Sequence, residues 1–271
     1  MGFMQTNWSI YFATLKETTA YRIVMLFSLI TGPLTVLVNY VIWKAIFAST
    51  GKAVFGGFTF EQMLTYIAIS HVTWYLVWDD TEDDLIEGVR EGNFTAYLLK
   101  PLSYIRFAFV KKVGHRTWAL FIEYLPVLII IGLMFGFQIF KSSNVLWYAL
   151  MVIIGFITLF LVNMLLGMFA FWFIRPKGIV WMYRMAARFL YGGILPLSIF
   201  PLAMQKIFFF LPFQFVAYVP AQAFIGRYEL AGVTLQPLET LLYGAFQVFI
   251  LYLVVLLFWR ISVKKFCGVG T

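Results

Sequence analysis

Charge is scarce in this chain. Only 12% of its 271 residues are Asp, Glu, Lys or Arg, against about a quarter in soluble domains. Cysteine is nearly absent: Cys267 stands alone and excludes an intramolecular disulfide. No Gly-x-x-x-x-Gly-Lys-Ser/Thr phosphate loop occurs, so the chain has no nucleotide site of that kind. No repeat at solenoid periods and no low-complexity tract is found, and no cleavable signal peptide precedes the first apolar run. What is abundant is apolar and aromatic surface, 62% and 20% of residues. That composition belongs to an integral membrane protein and leaves no room for a sizeable soluble domain.

A membrane-spanning helix needs about 20 mostly apolar residues. Stretches of that kind lie near 23–46, 58–78, 117–139, 146–173, 187–211 and 239–259. The expectation is therefore an all-α fold with six transmembrane helices in one membrane domain, residues 1–271. The net charge of +8 supports this topology and calls for no nucleic-acid partner. With the N-terminus inside, five basic residues fall at the outer margin: Lys44, Lys52, Lys141, Lys206 and Arg227. The rest fall inside, the positive-inside pattern, with both termini cytoplasmic and the plasma membrane as location. The stretch 205–237 is apolar but broken by Pro212 and Pro220. It reads as a re-entrant element on the outer face, since a seventh crossing would carry Arg260, Lys264 and Lys265 outside.

Residues 1–22 read as a helix lying in the membrane interface, with Trp8, Tyr11, Phe12 and Leu15 on one face. Gly32-Pro33 predicts a kink in the first span. The second carries His71, Trp74, Tyr75 and Trp78 on one stripe, open to two readings: an interfacial aromatic belt or a cavity lining. Glu123, two turns inside the third span, calls for a partner such as Arg22 or Arg188, or for water. Gly192-Gly193, Pro196 and Pro201 make the fifth span irregular, and Pro196 frees a backbone carbonyl that could face a cavity.

All four aspartates lie between 79 and 84, in the connection 79–116. Asp79-Asp80-x-x-Asp83 spells a metal-diphosphate motif of the kind Mg-dependent intramembrane prenyltransferases use. That chemistry needs a second facing cluster, and the glutamates outside this connection (Glu17, Glu61, Glu123, Glu229, Glu239) are isolated. The alternative is a short helix opened by a capping box, Thr81-Glu-Asp-Asp84, with an apolar stripe Leu85, Ile86 and Val89, stopped at Gly92. A second segment, FTAYLL, follows Asn93 and is closed by Pro101. Phe94, Tyr97, Leu98 and Leu99 in a cytoplasmic connection predict burial against a partner or the membrane.

The stretch EGVREGNFTAYLLKPLSYIRFAF resembles the connection after the second span in ABC type-2 transporter permeases. The likeness falls on Glu91, Gly92, Asn93, Leu98, Leu99 and Pro101, although the family more often has Thr and Glu where this chain has Asn93 and Thr95. LPFQFVAYVPAQAFIGR and the basic tail extend it over nearly the whole chain. The resemblance implies the transmembrane subunit of an ATP-driven exporter, working as a pair with an identical or related permease. ATP and Mg would bind to separate ATPase subunits, and this chain would bind no cofactor or metal and catalyse no reaction. It implies that Glu87, Arg90, Glu91, Gly92, Asn93, Phe94, Leu98, Leu99 and Pro101 couple to the ATPase. It further implies that His71, Trp74, Tyr75, Tyr191 and Leu195 line the substrate pathway, with lipid around the spans. An ATP-independent channel or secondary carrier, using His71 and Glu123 as coupling groups, is the alternative.

Overall fold

A computed structural model describes residues 3–19, 27–99, 103–173 and 176–265 of the chain. Their regular structure is helical apart from one short antiparallel hairpin and an isolated bridge between Phe55 and Phe58, with irregular connections between the elements. Helix α1 spans Phe3–Thr19, α2 Ser28–Thr50 and α3 Phe60–Val77. Two short helices follow, α4 Thr81–Arg90 and α5 Phe94–Leu98. Helix α6 runs Tyr104–Phe135 with one π-helical turn at Leu120–Tyr124, and α7 is Val145–Met168. Then come α8 Lys177–Leu190, α9 Leu202–Phe210, α10 Tyr218–Ile225 and, after β1 Glu229–Leu230 and β2 Val233–Thr234, the long α11 Pro237–Lys265.

Among the described residues, four helices are long and apolar enough to cross a membrane: Ser28–Thr50, Tyr104–Phe135, Val145–Phe171 and Pro237–Lys265. The other two expected spans look different. Helix α3 is closed at its N-terminus by a capping box, Thr59 with Gln62, and is largely enclosed by α2, α7 and α10. The stretch 187–211 is not one helix. It stops at Leu190, turns at Gly192 (φ 76°), and apart from one 3-10 turn at Leu197–Ile199 resumes as α-helix at Leu202, after Pro196 and Pro201. The glycine takes a left-handed conformation that other residues avoid, and the prolines supply no N–H to continue a helix. The break is held by Tyr66, whose hydroxyl donates to the Gly192 carbonyl at 2.5 Å, and by the Tyr218 N–H donating to the Tyr191 carbonyl at 2.9 Å.

Helix α7 is the hub, with more than half its residues buried against α4, α10, α11 and residues 212–216. Within the irregular stretch 205–237, residues 214–222 are buried against the rest of the protein, while Lys206, Ile207, Phe210 and 232–234 are exposed. Gln214 donates to the Phe209 carbonyl, which also accepts from Tyr243 and Gln247, while Tyr228 donates to Gln214 and Tyr218 to the Glu229 carbonyl. Helix α6 begins at Tyr104, where Tyr104, Ile105 and Ala108 are drawn into the core. Helix α6 thus starts within the stretch 79–116. Helix α1 packs along the first half of α6, where Gly114 admits Thr14, and leaves Trp8 and Phe12 stacked and exposed. Residues 20–22 of the expected interfacial segment lie outside the described residues.

Candidate functional site

Two features converge on one end of the bundle: the α4–α5 unit and a cavity beside it. The acid cluster that opens α4 faces inward. Asp79 is buried. It accepts from the Thr81 N–H at 3.2 Å and from the Thr81 hydroxyl at 2.8 Å, while Asn163 on α7 donates to its carbonyl and carboxylate at 2.8 and 3.1 Å. Thr81 is thus the first helical residue and donates its hydroxyl, so the expected capping box does not form. The cap position is Asp80, without a side-chain cap. The reason is competition: a buried carboxylate is the stronger acceptor for the threonine hydroxyl.

The remaining acids bolt α4 to its neighbours. The Lys112 ammonium on α6 contacts Asp80 and lies 2.9 Å from Asp84, which Lys111 also approaches at 3.3 Å. On the other side Arg184 of α8 donates to Glu82 at 2.5 and 3.0 Å and to Asp83 at 2.7 Å. Burial tends to raise the Asp80 carboxyl, but Lys112 beside it holds the group below the usual carboxylate range. At Glu82 burial prevails over Arg184 and pushes the carboxyl up to about 7. Gly167 lets α4 lie close on α7: a Cβ there would sit 3.0 Å from both the Glu82 Cα and the Leu85 Cβ.

The outward rim of the unit carries several residues expected to couple. Glu87 is exposed and paired with Lys177 at 2.8 Å, and Arg90 lies 3.9 Å from Glu91. Gly92, at φ 77°, turns the chain between the two helices. Asn93 is exposed and donates to Glu91, and Leu99 is 82% exposed. Phe94 departs from expectation. It is fully buried within the chain, edge-on to Tyr104, Phe171 and Trp259, so it anchors α5 and presents nothing outward. Pro101 and the Leu98 side chain lie outside the described residues.

The pathway candidates separate into three groups. His71 and Tyr75 face α2, where the Tyr75 hydroxyl lies 3.5 Å from His71 and donates to the Ser28 carbonyl. Leu195 packs against the cluster around Tyr66, Phe215 and Tyr218, beyond the break. Trp74 and Tyr191 do come together, 6.0 Å apart, with Trp78 5.1 Å from Trp74. They line a cavity of about 260 Å³ with Asp79, Glu82, Asn163, Trp181, Tyr183, Arg184 and Arg188. The charge acting on Glu123 is Arg116 of the same helix in place of Arg188, and Arg22 lies outside the described residues.

Sequence reasoning missed Asn163, Lys112, Arg184 and the burial of Glu82. Signals for two of them exist. Glu82 precedes Leu85 and Ile86 by three and four residues, which places it on the apolar stripe. Asn163 is the one amide in an otherwise apolar helix, where a polar side chain needs a partner.

A family model described as ABC-2 family transporter protein matches residues 34–270. No curated protein matches the chain.

Proposed function

From membership of the ABC-2 transporter family, to which this multi-pass membrane protein belongs, we propose that the chain is the transmembrane subunit of an ATP-driven exporter. It crosses the plasma membrane six times with both termini inside, pairs with an identical or related permease, and takes its drive from separate ATPase subunits. The observation that supports this reading most is the construction of α4–α5. A short helix pair is fastened on two sides, by Lys112 to α6 and by Arg184 to α8, while its rim of Glu87, Arg90, Glu91, Asn93 and Leu99 remains outward. A lever fixed to its own bundle and free on its outer face is what a moving motor subunit can push. The bolts would carry that push to α6 and α8 together.

The test uses the permease purified with its ATPase in proteoliposomes. Leu99→Asp places a carboxylate in what the proposal takes as an apolar contact, so transport and permease-dependent ATP hydrolysis should fall about tenfold or more, the equivalent of ~1.4 kcal/mol, with insertion unchanged. Phe94→Asp serves as the opposite control, because it should fail at folding. Unchanged coupling in Leu99→Asp and in a second rim variant, Glu87→Lys, would refute the assignment. Transport that persists without any ATPase would favour the carrier alternative based on His71 and Glu123.

A further inference from the structure

The cavity between α3, α4, α7 and α8 has a composition that its place beside the coupling unit does not require. Its wall is aromatic: Trp74 and Trp78 from the end of α3, Tyr191 from the end of α8, and Trp181, 63% exposed, at the mouth. Its floor is acidic. Asp79 is satisfied there by Thr81 and Asn163, but Glu82 is not. The Glu82 side chain is 1% exposed. Its Oε1 accepts both bonds from Arg184, while its Oε2 is buried with no hydrogen-bond partner among the described residues. A buried carboxylate oxygen without a donor is costly, and such an atom in the lining of a cavity can accept from a ligand there. The two cations of the lining do not fill it. Arg184 is already engaged by Glu82 Oε1 and Asp83, and Arg188 lies on the exposed side of α8.

We propose that this cavity binds an organic amine, whose ammonium donates to Glu82 while its apolar or aromatic body lies against Trp74, Trp78 and Trp181. Ring faces attract cations as well as apolar groups, so wall and floor select the same ligand. As a substrate subsite the proposal rests on the permease reading, through Trp74 and Tyr191. As a binding site it stands without it. The groups that face Glu82 are Arg184, Tyr183 and Tyr191 at α8 and Asp79 and Asp83 beside it, with α7 contributing the uncharged Asn163 and α3 the uncharged tryptophans. Without ligand, burial keeps a proton on Glu82 up to about neutral pH. An alkylammonium stays charged to about pH 10, so it replaces that proton. Its affinity therefore rises with pH through neutrality, whereas that of a neutral analogue does not.

Binding of phenylbutylamine, phenylbutanol and phenylbutyrate to the full chain in phosphatidylcholine nanodiscs, followed by calorimetry, tests this without any ATPase. The amine should bind at least about tenfold more tightly than the alcohol at pH 8, about 1.4 kcal/mol. Glu82→Gln should bring the amine to the level of the alcohol and leave the alcohol unchanged. Trp181→Ala, at the exposed mouth, should weaken amine and alcohol by a similar factor. If Glu82→Gln proves unstable, the wild-type chain still decides, because the preference for amine over alcohol should grow from pH 6 to pH 8. Competition by phosphatidylethanolamine in the disc would identify a lipid headgroup as the source of the amine, and its absence a soluble amine. Equal binding of amine and alcohol, tightest binding of the carboxylate, or a preference that is flat with pH would overturn the proposal.

Discussion

Replacing Lys112 by Met removes the cation that fastens α4 to α6 while keeping the aliphatic stem. The lysine side chain is 3% exposed, and its ammonium serves both Asp80 and Asp84. Were all three groups dry, stripping one partner would cost about 3–5 kcal/mol. The two carboxylates are 47% and 37% exposed, so water recovers part of the loss, and Lys111 stays beside Asp84. The expected cost is therefore about 1–3 kcal/mol, that of leaving a buried polar group without its partner. A double-mutant cycle with Asp80→Asn, read by thermal unfolding of the purified chain, should give a coupling energy of at least about 1 kcal/mol. Hydrogen exchange should speed up across 81–90. The depressed Asp80 carboxyl also sets the pH dependence. Its ionised form is favoured by folding, so the contribution is complete above the ordinary carboxylate value of 3.8 and fades only as pH falls below it. Additive single effects with unchanged exchange over α4 would refute the idea that Lys112 holds α4 to α6.

Glu82 should show the opposite sign. Its carboxyl is raised from 4.5 to about 7, so folding favours the protonated form, and stability contributed at low pH is lost as pH rises through neutrality. Thermal unfolding of the wild type should weaken from pH 5 to pH 8, and Glu82→Gln should flatten that trend. Gly167→Ala should destabilise by about 1–3 kcal/mol, because its Cβ meets the α4 backbone at a point clamped by Lys112 and Arg184. Gly178→Ala, in open space on α8, should be neutral or slightly stabilising in the same unfolding assay.

Much of the architecture was legible in the sequence because bilayer length and helical period act locally. The apolar stretches located the long helices, Leu85 and Ile86 with the half-buried Val89 form the inward stripe of α4, and Gly92 marked its end. The glycines and prolines of 191–201 announced the break in the fifth stretch. What remained hidden depends on pairing across elements. Thr81 matched a capping pattern, yet its hydroxyl goes to Asp79, which α7 positions through Asn163. Phe94 looked available because a connection is normally solvated, but Trp259, far along the chain, covers it. His71 and Trp74 share one stripe, but at about 100° per residue they sit roughly 60° apart. That is enough for one to face α2 and the other the cavity beside α8. A single helix can thus serve two surfaces that periodicity reports as one.

The central claim, that the outer rim of α4–α5 receives an ATPase, is tested most directly by site-specific photocrosslinking in native membranes. A photoreactive amino acid at Leu99, 82% exposed, would be activated after membranes are labelled with azido-ATP. Leu99 should crosslink to a nucleotide-labelled subunit, and the same probe at Trp8, exposed on α1, should give no such product. Adducts at Leu99 with lipid alone, or a nucleotide-labelled adduct at Trp8 and none at Leu99, would contradict it.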